Sequence, residues 1–381
     1  MSLIVDEHRQ YLSDEPRLAA FRAAIEATVR PGDTVLDLAA GTGILGLMAC
    51  RAGARHVYAI ECGGIIGLAR DVAAANGCGD RITFVQELST RADLPEGVDV
   101  IVTDQMGRFG FEAGLVEYLA DARRRWLAPG GRVIPAGVEL WAAPVEHAGQ
   151  WACVEFWRSR PGGFDFAAAG RLAANTGYPV RLGPGHLLGP AGCLGPLPIA
   201  GGERPAFHGA IRSVAARDGV LHGVGGWFSA ELAPGVGLSN SPLDPRRIGR
   251  RNVFFPIDHP VDVRAGDRID LTIRIRPIEM VVSWQVVVTE AGPDGRETGR
   301  FRGSTFEGML VPPDELRRTD PASVPVLSPA GDARRSILGL CDGRHTLAEI
   351  EAEVYRRHPD LFDSPGRASA FVAEVMTRYA T

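Results

Sequence analysis

The chain has 381 residues, 45% of them hydrophobic and 23% charged, with a formal net charge of −5. That length suggests two or three domains, each able to bury a core of its own. The balance excludes a generally basic surface for nucleic acid or an anionic membrane. MSLIVDEHRQ at the start has no apolar signal core, and no run approaches 18 apolar residues, so a cytoplasmic protein is expected. The six cysteines form no CxxC or Cys/His cluster, and are read as reduced thiols with no metal.

From Val35 to about Pro135 strands alternate with helical stretches. TVLDLA (34–39) is a buried strand, ILGLMACRA (44–52) a helix stopped by Gly53, and VYAIE (57–61) a second strand. A helix stopped by Gly77 follows, then ITFV (82–85), VDVIVTD (98–104), a helix around 114–127 and GRVIP (131–135). This alternation predicts a parallel sheet with ligands at the carboxyl ends of its strands. Residues 150–205 are rich in Gly, Ala and Pro, and 206–310 read as antiparallel strands. DPASVP (320–325) reads as a linker, with helices expected at 333–341, 346–357 and 366–379.

DLAAGTGILG (37–46) carries a G-x-G-x-x-G at Gly41, Gly43 and Gly46, and Glu61 follows Gly41 by twenty residues. Such a loop lets the backbone approach a ligand, while the acid accepts hydrogen bonds from ribose hydroxyls. Dinucleotide and S-adenosyl-L-methionine sites share this logic. Two details favour S-adenosylmethionine: Asp37 sits inside the strand end, where it can meet the methionine ammonium, and the fourth strand ends in the acidic loop TDQMG.

VLDLAAGTGIL, AIEC and IVTDQMG resemble the cofactor motifs of the protein arginine methyltransferase family. HRQYLSDEPR (8–17) resembles the family's cofactor-covering helix, WRSRPGGFD (157–165) its dimerisation arm, and GWFSAELAPGVGLSNSP (226–242), NVFF (252–255) and RFRGSTF (300–306) its barrel. The resemblance implies an α/β Rossmann-like methyltransferase domain (31–145) behind covering helices (1–30). An antiparallel β-barrel follows (146–315, arm about 150–200), and the chain is expected to form a homodimer. It implies cofactor contacts at His8, Arg17, Asp37, Gly41, Thr42, Gly43, Glu61, Cys62 and Glu87, acceptor contacts at Tyr11, Met106 and Arg108, and catalytic acids at Asp104 and Glu112.

The chain departs from the family in several places. Ala39 stands where the first loop glycine is expected, Thr90 where an acid reads the adenine (Glu87 lies nearby), and the N-terminal lid is short. The family clamps a guanidinium with two glutamates; here the first is Asp104, the second position is Ala113, and Glu112 lies one residue early. A supporting Thr-His-Trp segment corresponds to Arg247, Ile248 and Gly249. A guanidinium needs flanking carboxylates to free a nitrogen lone pair, whereas an α-amine with a pKa near 8 is already partly neutral. One acid therefore suits an amine, and Glu112 reads equally as an acid near a helix N-terminus.

SILGLCDGRHTLAEIEAEVYRRHPDLF (336–362) resembles small winged-helix PqqD-like domains that recognise leader peptides, implying an α-rich peptide-binding domain over 322–381. Together these resemblances imply a methyltransferase that N-methylates an amine of a ribosomally made precursor peptide. The alternatives are an arginine guanidine methyltransferase, a small-molecule natural-product methyltransferase and a catalytically silent peptide-binding scaffold, with a dinucleotide oxidoreductase competing for the glycine loop.

Overall fold

A computed structural model describes residues 4–200, 206–292, 295–310, 322 and 324–379. Of the linker expected at 320–325, only 322, 324 and 325 fall within the described residues. The chain divides into two compact units, Met1–Met309 and Leu310–Thr381.

The first unit opens with α1 (Ile4–Leu12) and α2 (Glu15–Thr28). Asp14 caps α2, accepting a hydrogen bond from the Arg17 amide, and α2 buries Phe21, Ala24 and Ile25. A five-stranded parallel sheet follows, built from β1 (Thr34–Leu38), β2 (His56–Ile60), β3 (Ile82–Val85), β4 (Val98–Val102) and β5 (Leu127–Ile134). Its order is β3-β2-β1-β4-β5, with α3 (Ile44–Arg51), α4 (Ile66–Ala75) and α5 (Leu115–Trp126) in the connections. Every residue of β1 is buried, as a central strand covered on both faces requires. The strand order reverses between β1 and β4, so the crevice for a ligand opens there. Thr103 closes its floor, its buried hydroxyl donating to the Leu38 carbonyl at 2.9 Å.

The expected barrel forms as two antiparallel sheets. The six-stranded one holds β6 (Gly137–Val145), β7 (Tyr178–Val180), β8 (Gly192–Pro196), β10 (Gly219–Ala233), β11 (Val236–Ser239) and β12 (Asn252–Val263). The four-stranded one holds β9 (Phe207–Val214), β13 (Arg268–Arg276), β14 (Val281–Thr289) and β15 (Glu297–Ser304). The expectation of a closed barrel is corrected: among the described residues no ladder joins the two sheets. The edge strands β7 and β8 are short and contain Pro179 and Pro196, which lack the N–H that a continuing ladder needs. The sheets nevertheless share a core, with Phe255 of β12 and Trp284 of β14 packed 5.0 Å apart. Between β6 and β8, α6 (Ala148–Glu155) and α7 (Ala167–Ala174) bury Trp151, Val154, Ala173 and Ala174 together, while Phe164 stays 72% exposed.

In the second unit α8 (Pro329–Leu340), α9 (Leu347–Arg357) and α10 (Pro365–Tyr379) surround Ile337, Ile350, Val354, Phe362 and Val372. Ser328 caps α8, and Thr346 and Glu349 form a capping box on α9. Of the α-rich, winged-helix-like unit expected here, the described residues show the three helices and no strand. Ser328-Pro329 turns the chain into α8, and Val324 and Val326 before it are exposed. No helix among the described residues is long and apolar enough to cross a membrane.

Candidate active site

β1 delivers Asp37 to the crevice, where it is fully buried. One carboxylate oxygen, Oδ2, accepts the Gly46 amide at 2.7 Å; the other, Oδ1, has no partner. Burial pushes this carboxyl up to about 7, against the Gly46 hydrogen bond, and the nearby Glu61 adds to the rise. After Asp37 the backbone turns through Ala39 (φ 61°), Gly41 (φ 55°) and Gly43 (φ 76°) into α3. The left-handed φ at Gly41 favours glycine, and a Cβ there would lie 2.7 Å from His8 Cε1, so His8 would have to move. The covering helix α1 thus rests its histidine directly on the glycine loop. Glu61, just past β2, accepts the Gly41 amide at 3.1 Å and the Gly63 amide at 2.7 Å.

These residues fit the expected cofactor. The partnerless Asp37 oxygen suits an ammonium, each Glu61 oxygen keeps a lone pair for a ribose hydroxyl, and the left-handed φ at Gly41 favours glycine beside them. Thr42 is buried in the loop, while Cys62 and Glu87 are exposed, Glu87 accepting the amide of its neighbour Leu88.

β4 ends beside β1 and delivers Asp104. Its Oδ2 accepts both the Arg17 Nε at 2.6 Å and the Arg250 Nη2 at 2.9 Å; among the described residues its Oδ1 has no partner, and neither has the Arg250 Nη1. Burial alone would raise the Asp104 carboxyl, but Arg250 and then Arg17 outweigh it and hold it below the usual carboxylate range. Asp14 brings the two arginines together. It caps the helix that carries Arg17 and accepts the Gly249 amide at 2.8 Å, next to Arg250. The Tyr11 ring lies beside both guanidinium groups, 5.7 Å from Arg17 Cζ and 5.9 Å from Arg250 Cζ.

Glu112 turns into its own loop and accepts the Phe109 amide at 2.7 Å. A Cβ at Gly107 would lie 2.5 Å from that carboxylate, so the loop needs a glycine there. Burial pushes the Glu112 carboxyl up, against the Phe109 hydrogen bond. The two acids therefore differ: Asp104 is held ionised by cations, and Glu112 is eased toward its neutral form. Of the expected acceptor contacts, Tyr11 is 39% exposed, Met106 is fully buried in the main core, and Arg108 is exposed.

Two residues that the structure brings to this site were not singled out from the sequence. Arg250 follows directly on the segment 247–249, and its signal is the arginine-rich RRIGRR run, since a buried arginine needs an acid. Asn240 donates to the carbonyls of Arg108 at 2.8 Å and Arg251 at 3.1 Å, fastening the acidic loop to the β region.

A family model described as ribosomal protein L11 methyltransferase matches residues 22–140. An arginine N(omega)-methyltransferase of Streptomyces achromogenes is 31% identical over 278 residues, covering 70% of this chain and 75% of the relative. Protein arginine N-methyltransferase 1 of Schizosaccharomyces pombe is 30% identical over 292 residues, covering 71% and 82%. Among solved structures, the Trypanosoma brucei PRMT1 enzyme-prozyme heterotetrameric complex with AdoHcy aligns at a TM-score of 0.66 with 22% identity, over 78% of this chain and 97% of that one.

Proposed function

This chain belongs to the protein arginine methyltransferase family and is an S-adenosylmethionine-dependent methyltransferase; we propose that its acceptor is a nitrogen of an arginine-type guanidine. The observation that carries the proposal is that Asp104 already receives a guanidinium, that of Arg250, on a largely buried carboxylate. The arginine-methylating relatives support the same class.

When bound, S-adenosylmethionine supplies a methyl group on a positively charged sulfur. Asp37 would hold its ammonium, Glu61 its ribose hydroxyls and Arg17 its carboxylate, while α1 with His8 excludes water from the loop. Asp104, kept ionised, orients the guanidinium and draws its positive charge toward the nitrogens it touches, leaving density on the nitrogen that accepts the methyl. Glu112 faces its own loop, so it positions the loop beside Asp104 rather than touching the acceptor. The nitrogen that takes the methyl would give up one N–H proton to Asp104, whose Oδ1 has no partner among the described residues.

A second reading, methylation of an amine on a ribosomally made peptide, is favoured by one observation. Glu112's Oε2 is engaged by the Phe109 amide, so one acid rather than two is open to the acceptor. In that reading the helical unit 329–379 would recognise the peptide. We also propose a cytoplasmic homodimer formed through the 150–200 segment, supported by the exposed Phe156 and Phe164. The test is methyl transfer with labelled cofactor to L-arginine, to an arginine peptide and to an arginine-free peptide with a free N-terminus. Fragmentation mass spectrometry then locates the methyl. Guanidine methylation is expected; methyl on the amine alone would transfer the assignment to the second reading.

A further inference from the structure

The Asp104 seat is occupied by the protein itself. Two arginines converge on a single carboxylate oxygen, while the other oxygen is buried without a partner. Arg250 makes one hydrogen bond to Asp104 where a guanidinium fork can make two, and its Nη1 is buried with no partner among the described residues. It is therefore an occupant with half its pairing unmade. Its backbone is fastened on both sides, by Asp14 at Gly249 and by Asn240 at Arg251, so only the side chain is free to leave. Beside it lies the partly exposed Tyr11 ring, 5.9 Å from the Arg250 Cζ.

The charges make joint occupation unfavourable. Asp104 carries one negative charge against the positive charges of Arg17 and Arg250. A further guanidinium would enter an already cationic seat, and like charges at this range in a buried site repel strongly. We infer that Arg250 is a specificity-determining residue that holds the Asp104 seat and must be displaced by the acceptor's guanidinium. An acceptor that pairs with both Asp104 oxygens makes two bonds in place of one, so planar guanidines and amidines displace Arg250 where a compact ammonium, a point charge without a fork, does not. This inference rests on the guanidine reading of the site and adds to it a condition for entry.

The experiment titrates methylguanidine, small enough to reach the seat without a matched peptide, into the full chain loaded with S-adenosylhomocysteine. Wild type is compared with Arg250→Gln, which keeps most of the volume, Arg250→Ala and Arg250→Lys. The Gln and Ala variants are expected to bind methylguanidine at least tenfold more tightly than wild type, and the Lys variant to stay weak because a cation remains. Equal or weaker binding in both neutral variants overturns the inference, and so does loss of the fold in both, which would make Arg250 a structural strut. The function is read separately by turnover. Tighter binding without arginine methylation in any form would sink the guanidine function and keep the seat, while arginine methylation without tightening would do the reverse.

Discussion

Acidification should weaken cofactor binding through Asp37, and the structure sets the size of the effect. Burial, with Glu61 adding to it, brings this carboxyl to about 7, against the Gly46 amide and Arg17. The cofactor's ammonium stabilises only the ionised form, so any protein protonated at Asp37 must release that proton to bind. A group with a pKa of 7 is about 3% ionised at pH 5.5 and about 76% ionised at pH 7.5, so the apparent Kd should weaken about 25-fold between them. That is about 1.9 kcal/mol of affinity. The free protein shows the opposite trend. A carboxyl raised in the folded state binds its proton more tightly there than in the unfolded chain, where its pKa is about 3.9. Its contribution to stability therefore falls as pH rises from about 4 to about 7, and is constant above that. The assay is calorimetric titration of S-adenosylhomocysteine at several pH values, in two buffers of different ionisation enthalpy, which counts about one proton released at pH 5.5. Asp37→Asn should bind more weakly with a flat profile, while His8→Gln, altered in the same loop, should keep the slope. A flat wild-type profile, or a slope that survives in Asp37→Asn, would refute the reasoning.

Asp104→Asn should leave S-adenosylhomocysteine affinity nearly unchanged and lower turnover at least tenfold, about 1.4 kcal/mol; unchanged turnover would remove Asp104 from the mechanism. Because its folded pKa is depressed, the stability Asp104 contributes is present above about pH 4 and is lost only as pH falls through the lower folded value, so the variant's melting deficit should be constant from pH 6 to 8. Glu112→Ala leaves the Phe109 amide without its acceptor and should cost about 1–3 kcal/mol in urea unfolding. Ala39→Gly removes a left-handed alanine (φ 61°) and should raise stability by about 1 kcal/mol; a lower melting temperature would contradict the strain argument. Thr346→Ala breaks the capping box of α9 and should cost the C-terminal unit about 1 kcal/mol, read as faster amide exchange in that helix.

The local elements were legible in the sequence to within a few residues. The strand expected at 34–39 is observed at Thr34–Leu38, the helix at 44–52 at Ile44–Arg51, and the tail helix at 346–357 at Leu347–Arg357. Hydrophobic period, capping residues and glycine stops act over a few residues, so a linear reading captures them. The cofactor loop was legible for the same reason, since Asp37, Gly41, Gly43 and Glu61 lie within one βαβ unit.

Tertiary packing decided the acceptor side. Arg250 reaches Asp104 across 146 residues of sequence, and Asp14 reaches Gly249 across 235, pairings that no local pattern encodes. The direction of Glu112 was equally hidden. A carboxylate beside a helix can face a ligand or its own loop, and the short approach at Gly107 together with the Phe109 amide chose the loop. Sequence alone thus determined the glycine loop and its two acids, because backbone turns and one βαβ unit make them. The two cations on the buried Asp104 carboxylate come from separate elements, and only the packed structure brings them together.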